Sequence, residues 1–344
     1  MVYDSIHIFC TDNATDMQKA FHDTLSVFFP YCMHITCFAH IMNLIFEAFR
    51  KPFTDAAASG LKFKKIFAQP GARRARYLAY LKNSASLGSN PNQTNVSITL
   101  APNPVATQWN SWYEAMSYHN EHIHLYCDFI TSEKLVCGNN AAEALDWLVA
   151  FFGDPVKVDA LKVKLAFLSK KSVALLQLLS CFESDIPYLV DAYEKLEDLR
   201  IVLETNCVAA NITFETRAAI LHQFEEAFSL AVQKPDKYMT EGQPGINYVK
   251  ACRIFKPQNT VLLSRHKEDY SAILGFAQIS DDEFAKYINV IGSQAVQNST
   301  DINPLDVLTF WKSVCDRLPS LHTLAKMFIF SDNTRRRRKL IFQI

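Results

Sequence analysis

The segment from Ile6 to Ala48 constrains the fold more than any other part of this chain. It predicts a short apolar strand that ends at Asp12, a helix, a second short strand, and a helix that begins at Cys37-x-x-His40. This order is typical of an α/β fold, in which side chains at the carboxyl end of a strand project into the crevice that holds ligands and catalytic groups. Asp12 is therefore a candidate functional residue, although an aspartate in front of a helix is also a good helix cap.

Composition and charge limit the class of protein. The 344 residues include 49% hydrophobic residues and 25 Phe, which is ample for a large core, and the formal net charge is zero. A neutral molecule has no long-range attraction for nucleic acid, so DNA contact would need a local basic patch. Nine cysteines without a repeated spacing indicate free thiols in a reducing compartment. No apolar run reaches the roughly 18 residues needed for a membrane span, so no membrane partner is expected.

Most of the chain after the first segment is predicted to be helical. The stretch 83–104 is rich in Asn, Ser and Pro and indicates a linker or exposed loop. Proline and polar clusters separate the later helices, and no fixed repeat indicates a solenoid. The predicted helices are 17–29, 51–82, 141–152, 158–168, 171–182, 187–204, 214–233 and 280–290.

Cations alternate with aromatic residues in the predicted helical stretch from Lys51 to Lys82. Such a pattern can neutralise phosphates while the rings stack or anchor the helix. The alternative is a solvated face whose aromatic rings point into the core. The candidate nucleic-acid-binding residues are Lys64, Lys65, Arg73, Arg74 and Arg76.

The sequence gives only weak indications of a metal site. Cys37-x-x-His40 has the spacing of half a zinc site, but no second pair occurs at a matching spacing. The helix that follows is predicted to place His40, Asn43 and Glu47 on its polar face. His119 lies on an apolar helical stripe, which indicates a packed core histidine and no ligand role.

Three short motifs follow one another along the first third of the chain. They are Cys10-Thr11-Asp12-Asn13-Ala14-Thr15-Asp16-Met17, Cys37-Phe38-Ala39-His40-Ile41-Met42-Asn43-Leu44 and Gln108-Trp109-Asn110-Ser111-Trp112-Tyr113. In this order they resemble the motifs of hAT-family DNA transposases. The resemblance implies an RNase H-like catalytic core in which Asp12 is the second acid of a catalytic triad. It also implies that Cys37, His40 and Trp109 lie near the active-site pocket.

The last segment is similar to the C-terminal dimerisation region of the same family. That region contains a Trp-bearing helix and a second helix that begins at proline, as Trp311 and Pro319 do here. The resemblance implies packing against the core and against a partner chain, and hence a homodimer. A pair of helices that pack on each other is the alternative. The candidate dimerisation residues are Leu308, Trp311, Leu318, Leu321 and Leu324.

The chain departs from the family pattern where catalysis is concerned. RNase H-type strand transfer uses two divalent ions about 4 Å apart that several carboxylates hold. The family's first acid lies upstream of the Asp12 motif, and this chain begins after that position. Five consecutive cations, Arg335 to Lys339, fall where the third acid is expected. We therefore expect no cofactor, and Mg²⁺ or Mn²⁺ at Asp12 only if the acidic site is intact.

These observations predict a mainly α protein with a small α/β part, a partial RNase H-like core interrupted by a large all-helical insertion. The predicted division is an α/β segment at 1–82, a linker at 83–104, a helical insertion at 105–300, and a dimerisation segment with a basic tail at 301–344.

Three hypotheses about function remain open at this point. The first is a transposon-derived, catalytically inactive hAT-like protein that dimerises, binds DNA weakly without sequence preference, and is nuclear, or otherwise cytoplasmic. The second is a fragment of an active Mg-dependent transposase. The third is a host helical scaffold that binds other proteins.

Overall fold

The computed structural model describes residues 8–12, 14–68, 71–87, 97–104, 110–138, 143–183, 189–208, 218–291 and 304–329. Over these residues the protein is mainly helical, with one small sheet of two parallel strands. The prediction of a mainly α protein with a small α/β part is confirmed.

The sheet joins β1 (Ile8–Thr11) to β2 (Met33–Thr36) in parallel, with Ile8 opposite Met33 and Thr11 opposite Thr36. Parallel strands need a crossover of a dozen or more residues. Here the crossover consists of α1 (Thr15–Ala20), a π-helical turn (Phe21–Leu25) and a short α2 (Ser26–Phe28). Both strands therefore end at the same edge of the sheet.

Helices make up the rest of the described chain. They are α3 (Phe38–Arg50), α4 (Thr54–Ile66), α5 (Gly71–Leu87), α6 (Ser111–Cys137), α7 (Glu143–Phe152), α8 (Pro155–Glu183), α9 (Leu189–Val208), α10 (Ala218–Tyr238), α11 (Ile246–Cys252), α12 (Asp281–Lys286), α13 (Pro304–Ser313) and α14 (Pro319–Ile329). Short 3-10 turns lie between α11 and α12, and a π-helical turn at Tyr287–Ile291 follows α12.

Several helix boundaries differ from the predicted ones. α5 continues to Leu87, beyond the end of the helix predicted at 51–82. The two helices predicted at 158–168 and 171–182 are one continuous helix, α8, because Ser169 and Lys170 between them do not break a helix. Pro235 lies inside α10, near its end, although it was expected to separate helices.

The chain forms two compact units. The first contains Met1–Ile45, Leu178–Thr205 and Ala231–Ile344, and the second contains Phe46–Gln177 and Asn206–Leu230. Each unit therefore combines segments that are far apart in sequence. The division predicted from the motifs, at residues 82, 104 and 300, remains a prediction.

The core of the first unit joins the start of the chain to its end. Ile35 of β2 belongs to the same cluster of buried residues as Phe255, Trp311 and Leu321. The turn before α11 lies against β2, because the amide of Thr36 donates to the carbonyl of residue 244 at 3.4 Å. The sheet is thus anchored by residues more than two hundred positions further along the chain.

The core of the second unit is rich in phenylalanine. Phe49 of α3 and Phe53 before α4 pack against Phe167 of α8. The ring of Phe167 stacks on that of Phe224 from α10, with centroids 3.9 Å apart and an interplanar angle of 2°. Offset aromatic pairs of this kind add stability beyond their buried area.

Among the described helices, α8 has the length and apolar composition of a membrane span. A core helix of a soluble protein passes the same test. Leu165, Phe167 and Leu168 of α8 are buried within the chain. Buried residues make up 33% of the apolar window of α8, and a single helix of this length and composition is weak evidence for a membrane span.

Candidate functional site at the carboxyl ends of the strands

Asp12 follows β1 directly, at the carboxyl edge of the sheet. Its side chain is exposed, and its Oδ1 atom accepts a hydrogen bond of 3.0 Å from the amide of Ala14. This i to i+2 bond is an Asx turn, which leads the chain from the strand into α1. The aspartate is therefore placed where an α/β fold presents functional groups, and it also organises the local turn.

Cys37 follows β2 directly and precedes α3. Its amide donates to the carbonyl of Thr11 at 2.7 Å, which extends the ladder between the two strands by one residue. Its thiol is hydrogen-bonded to that of Cys10 on β1. The backbone N–H groups of Ala39 and His40, in the first turn of α3, lie near enough to the Cys37 sulfur to lower its pKa. Two sulfurs and a helix N-terminus therefore meet at one point.

These contacts make the two thiols electrostatically different. The hydrogen bond from Cys10 holds the pKa of Cys37 below its ordinary value, and the N–H groups of α3 lower it further, while burial and the Asp12 carboxylate oppose the change. The hydrogen bond to Cys37, followed by burial, raises the pKa of Cys10. Cys37 is thus the thiol that ionises first.

The opposite face of the sheet carries a buried polar contact. Thr11 Oγ1 and His34 Nε2 lie 2.7 Å apart, and the His34 ring packs against Phe9 and Phe21. Burial lowers the pKa of His34.

The sequence alone did not indicate His34 or Cys10 as site residues. Strand alternation would have placed Cys10 and Cys37 on one face, had the pairing of the strands been known.

α3 places its polar residues differently from the prediction. Glu47 is exposed and His40 half-buried, but Asn43 is only 3% exposed. Neither polar atom of the Asn43 side chain has a hydrogen-bond partner among the described residues. The prediction that Asn43 lies on a solvated face was wrong, because contacts distant in sequence cover this side of the helix.

No group of three or more His, Cys, Asp or Glu side chains is arranged to hold a metal ion in the described part of the chain. Of His40, the backbone N–H is the group that acts on the Cys37 thiol, by lowering its pKa. Trp109, the third residue assigned to the pocket, lies outside the described residues, as does the basic run 335–339.

Two of the predicted DNA-binding arginines are engaged within the protein. Arg73 is buried, and its guanidinium donates to Glu133 at 3.2 Å and to the carbonyl of Ile66 at 2.8 Å. Arg76 donates to the same carboxylate, at 2.7 Å through Nη2. The hydrogen bond from Arg76, ahead of the other contributions, lowers the pKa of Glu133. Arg73 is therefore occupied inside the protein, whereas the Arg76 side chain is 41% exposed although it pairs with the same buried acid. Phosphate binding by either residue stays a prediction.

The other predicted cations are exposed and lie at the end of α4. Lys64 and Lys65 belong to its last turn. Arg74 of α5 reaches the same place, because its Nε donates to the carbonyl of Phe67 at 2.7 Å. Lys64 contacts the carbonyl of Pro104 at 3.4 Å. These three cations, the α4 basic cluster, are the exposed part of the predicted surface.

The predicted dimerisation residues lie mostly inside the first unit. Trp311 and Leu321 have no exposed surface, and Trp311 Nε1 donates to the carbonyl of Phe255 at 2.7 Å. Leu318 and Leu324 are buried and Leu308 is half-buried. Packing of the four buried side chains inside the first unit agrees with the part of the resemblance that implies contact with the core. Contact with a partner chain stays a prediction.

Comparisons with protein-family models, with curated proteins and with solved structures find no match. The resemblance to hAT transposases therefore rests on the three sequence motifs, on their order, and on the similarity of the last segment.

Proposed function

We propose that this chain is a transposon-derived hAT-like protein that binds nucleic acid without cutting it. One observation carries the proposal. Two of the motifs, those with Asp12 and Cys37, occupy the carboxyl ends of adjacent parallel strands, which is the position that the resemblance implies for them.

The arrangement of the first unit supports an interrupted RNase H-like core. Its buried cluster combines Ile35 from β2 with Trp311 from α13, while much of the intervening chain forms a separate helical unit. Such an arrangement is expected when a helical segment is inserted into an older α/β domain. For this reason we keep an interrupted RNase H-like core as part of the proposal.

The acidic residues do not fit a two-metal site. Asp12 is one carboxylate, one of its oxygens accepts the Ala14 amide, and its neighbour across the strand ends is the Cys37 thiol. Two divalent ions require several carboxylates. In the sequence, Arg335 to Lys339 replace the expected third acid with cations. The proposed protein therefore needs neither Mg²⁺ nor Mn²⁺.

The α4 basic cluster is the proposed contact for nucleic acid. Lys64, Lys65 and Arg74 present three cations within one turn of the end of α4. Phosphate contacts of this kind give weak binding without sequence preference, and the affinity falls steeply with salt because counterions are released. Nuclear localisation follows from this function and belongs to the same proposal.

The test is the affinity for a labelled DNA duplex by fluorescence anisotropy over a series of salt concentrations. We expect a linear fall of log affinity with log salt, and a slope reduced by roughly two in the double variant Lys64→Glu, Lys65→Glu. The matched control, Lys19→Glu with Lys326→Glu, makes the same change of charge at exposed sites in the first unit. An affinity that does not depend on salt would overturn the proposal and favour a protein-binding scaffold.

Metal binding is tested by calorimetric titration with Mg²⁺ and with Mn²⁺. We expect the same heat from the unmodified chain, from Asp12→Ala and from Asp16→Ala, in which another exposed acid is removed. A metal-dependent heat lost only in Asp12→Ala would contradict the inactive assignment and favour a fragment of an active transposase.

A homodimer remains part of the proposal, with a different contact surface. Val27, Phe28 and Tyr31, at the end of the crossover, are 74%, 61% and 55% exposed. Adjacent apolar side chains of this size are costly in water and are found at protein contacts. Sedimentation velocity is expected to give a dimer that Phe28→Ser weakens. A monomer at every concentration would remove dimerisation from the proposal.

A further inference from the structure

Cys10 and Cys37 form a contact that the proposed function does not use. Cys10 lies opposite Ile35 in the parallel ladder, and Cys37 is two residues beyond Ile35. The side chains of alternate residues share a face, so both thiols project to the same side of the sheet. Their sulfurs are hydrogen-bonded to each other, and both residues are partly exposed.

We propose that Cys10 and Cys37 are a reversible redox pair, which a peroxide oxidises to a disulfide and a dithiol reduces again. The modification site is thus the strand-end thiol pair, and the class of oxidant is a hydroperoxide such as hydrogen peroxide. The proposal depends on the geometry of the two strands and is independent of DNA binding.

The position of Cys37 assigns it the role of the attacking sulfur. It directly precedes the N-terminus of α3, a helix of 13 residues, and the N–H groups of Ala39 and His40 in the first turn favour its ionised form. Such donors stabilise a thiolate, which is the nucleophilic form. Cys10, which donates to Cys37, lies within reach of the product of that attack.

The reaction balances with one peroxide and two thiols. The Cys37 thiolate attacks one peroxide oxygen, the O–O bond breaks, and a sulfenic acid forms as hydroxide leaves and takes up, as water, the proton that Cys37 released on ionisation. The Cys10 sulfur then attacks the sulfenic sulfur, the S–S bond forms, and the second oxygen leaves as water with the proton from Cys10. Two thiols are oxidised by two electrons, and the peroxide is reduced to two waters.

Two buried cysteines of the first unit are less suited to this chemistry. Cys32 and Cys252 are buried, and burial raises the pKa of each thiol, to about 11 for Cys32. Buried thiols with raised pKa values react slowly with oxidants. Cys127 of α6 is exposed and lies in the second unit, so it provides a control for accessibility.

A disulfide between these residues would have a structural consequence. It would tie the end of β1 to the residue before α3, next to Asp12. The strand pair has four residues on each side and is small for a sheet. Oxidation is therefore expected to protect the amides of β1 and β2 from hydrogen exchange.

The test treats the full chain with hydrogen peroxide under native conditions, blocks the remaining thiols with N-ethylmaleimide, and maps the disulfides by peptide mass spectrometry. We expect a peptide in which Cys10 is linked to Cys37, which disappears after treatment with dithiothreitol. Cys127→Ser is expected to form the same link at the same peroxide concentration.

Two variants separate the roles of the sulfurs. Cys10→Ser is expected to leave Cys37 as a sulfenic acid that a dimedone probe traps, whereas Cys37→Ser is expected to leave Cys10 as a free thiol. Circular dichroism before and after oxidation checks that each variant is folded. If a variant does not fold, the unmodified chain is equilibrated in buffers of reduced and oxidised dithiothreitol. The fraction of Cys10–Cys37 disulfide is then measured directly.

Either of two results would overturn the proposal. One is oxidation of Cys37 in the folded unmodified chain without a link to Cys10. The other is that the linked peptide forms only at peroxide concentrations that also oxidise Cys127 and the buried thiols.

Discussion

The indole N–H of Trp311 donates a 2.7 Å hydrogen bond to the backbone carbonyl of Phe255, and the two rings meet edge to face with their centroids 5.9 Å apart. Trp311 therefore fixes the 3-10 turn Arg253–Phe255 to α13. This one side chain supplies both a large buried apolar surface and the partner of a buried carbonyl.

Replacement of Trp311 is expected to destabilise the protein in two steps. Trp311→Phe keeps an aromatic ring but removes the N–H donor to the Phe255 carbonyl, at a cost of about 1–3 kcal/mol. Trp311→Ala also leaves a cavity and costs about 3–5 kcal/mol. Unfolding in urea measures both values, with the half-buried Trp147→Phe as control. Equal stability of Trp311→Phe and the unmodified chain would show that the hydrogen bond contributes nothing.

Gly245 provides a second test of the packing around β2. Its φ is +72°, and a Cβ atom there would lie 2.5 Å from Ile35 Cγ2 and 2.6 Å from the His34 carbonyl oxygen. Left-handed backbone alone costs an L-residue roughly 1–2 kcal/mol. Because the obstacle includes backbone, we expect Gly245→Ala to lose several times the stability lost by Gly242→Ala, whose Cβ would meet nothing within 4 Å. Similar urea midpoints for the two variants would contradict the contact with β2.

The first segment was predictable because its signals are local. The strand that ends at Asp12 and the helix that follows Cys37 appear directly in the pattern of apolar residues. The hydrogen bond between the Cys10 and Cys37 thiols depends on strand pairing across a crossover, which one sequence does not specify.

Pairings distant in sequence account for the other differences. Arg73 and Arg76 resembled a phosphate-binding surface because their partner, Glu133, lies 60 and 57 residues away. Trp311 resembled a residue for a partner chain because an apolar seam does not specify which surface covers it. In both cases the residue type indicated the kind of interaction, but the sequence did not indicate which part of the protein provides the other side of the contact.

The Glu133 site predicts a large effect from a change that preserves shape. Glu133→Gln removes the buried negative charge that faces Arg73 and Arg76, and we expect a loss of about 3–5 kcal/mol. Glu121→Gln makes the same change at an exposed position on α6 and is expected to be nearly neutral. Urea unfolding of both variants decides. If Glu133→Gln loses no more stability than Glu121→Gln, solvent already screens the charge of Glu133 from the two arginines.

The burial of His119 is expected to make the stability of the protein depend on pH. His119 is buried in the second unit, and its Nδ1 lies 2.8 Å from the Tyr126 hydroxyl. Burial, and to a lesser extent the nearby His122, lowers the pKa of His119 to about 3, from an ordinary value of 6.5. Between these two values the unfolded chain binds a proton that the folded chain does not. The contribution of His119 is therefore complete above pH 6.5 and falls by about 1.4 kcal/mol for each pH unit below it.

The variant His119→Phe isolates this contribution because other titrating groups are common to both proteins. At pH 7 the unmodified chain is expected to be the more stable, since the variant leaves the Tyr126 hydroxyl without the His119 nitrogen. As the pH falls from 6.5 to 4, the unmodified chain alone must bury a neutral histidine that its unfolded state protonates. The stability difference measured by urea unfolding is therefore expected to narrow and then reverse. A difference that stays constant over this range would mean that His119 is protonated in the folded protein, with water or a rearranged Tyr126 to solvate it.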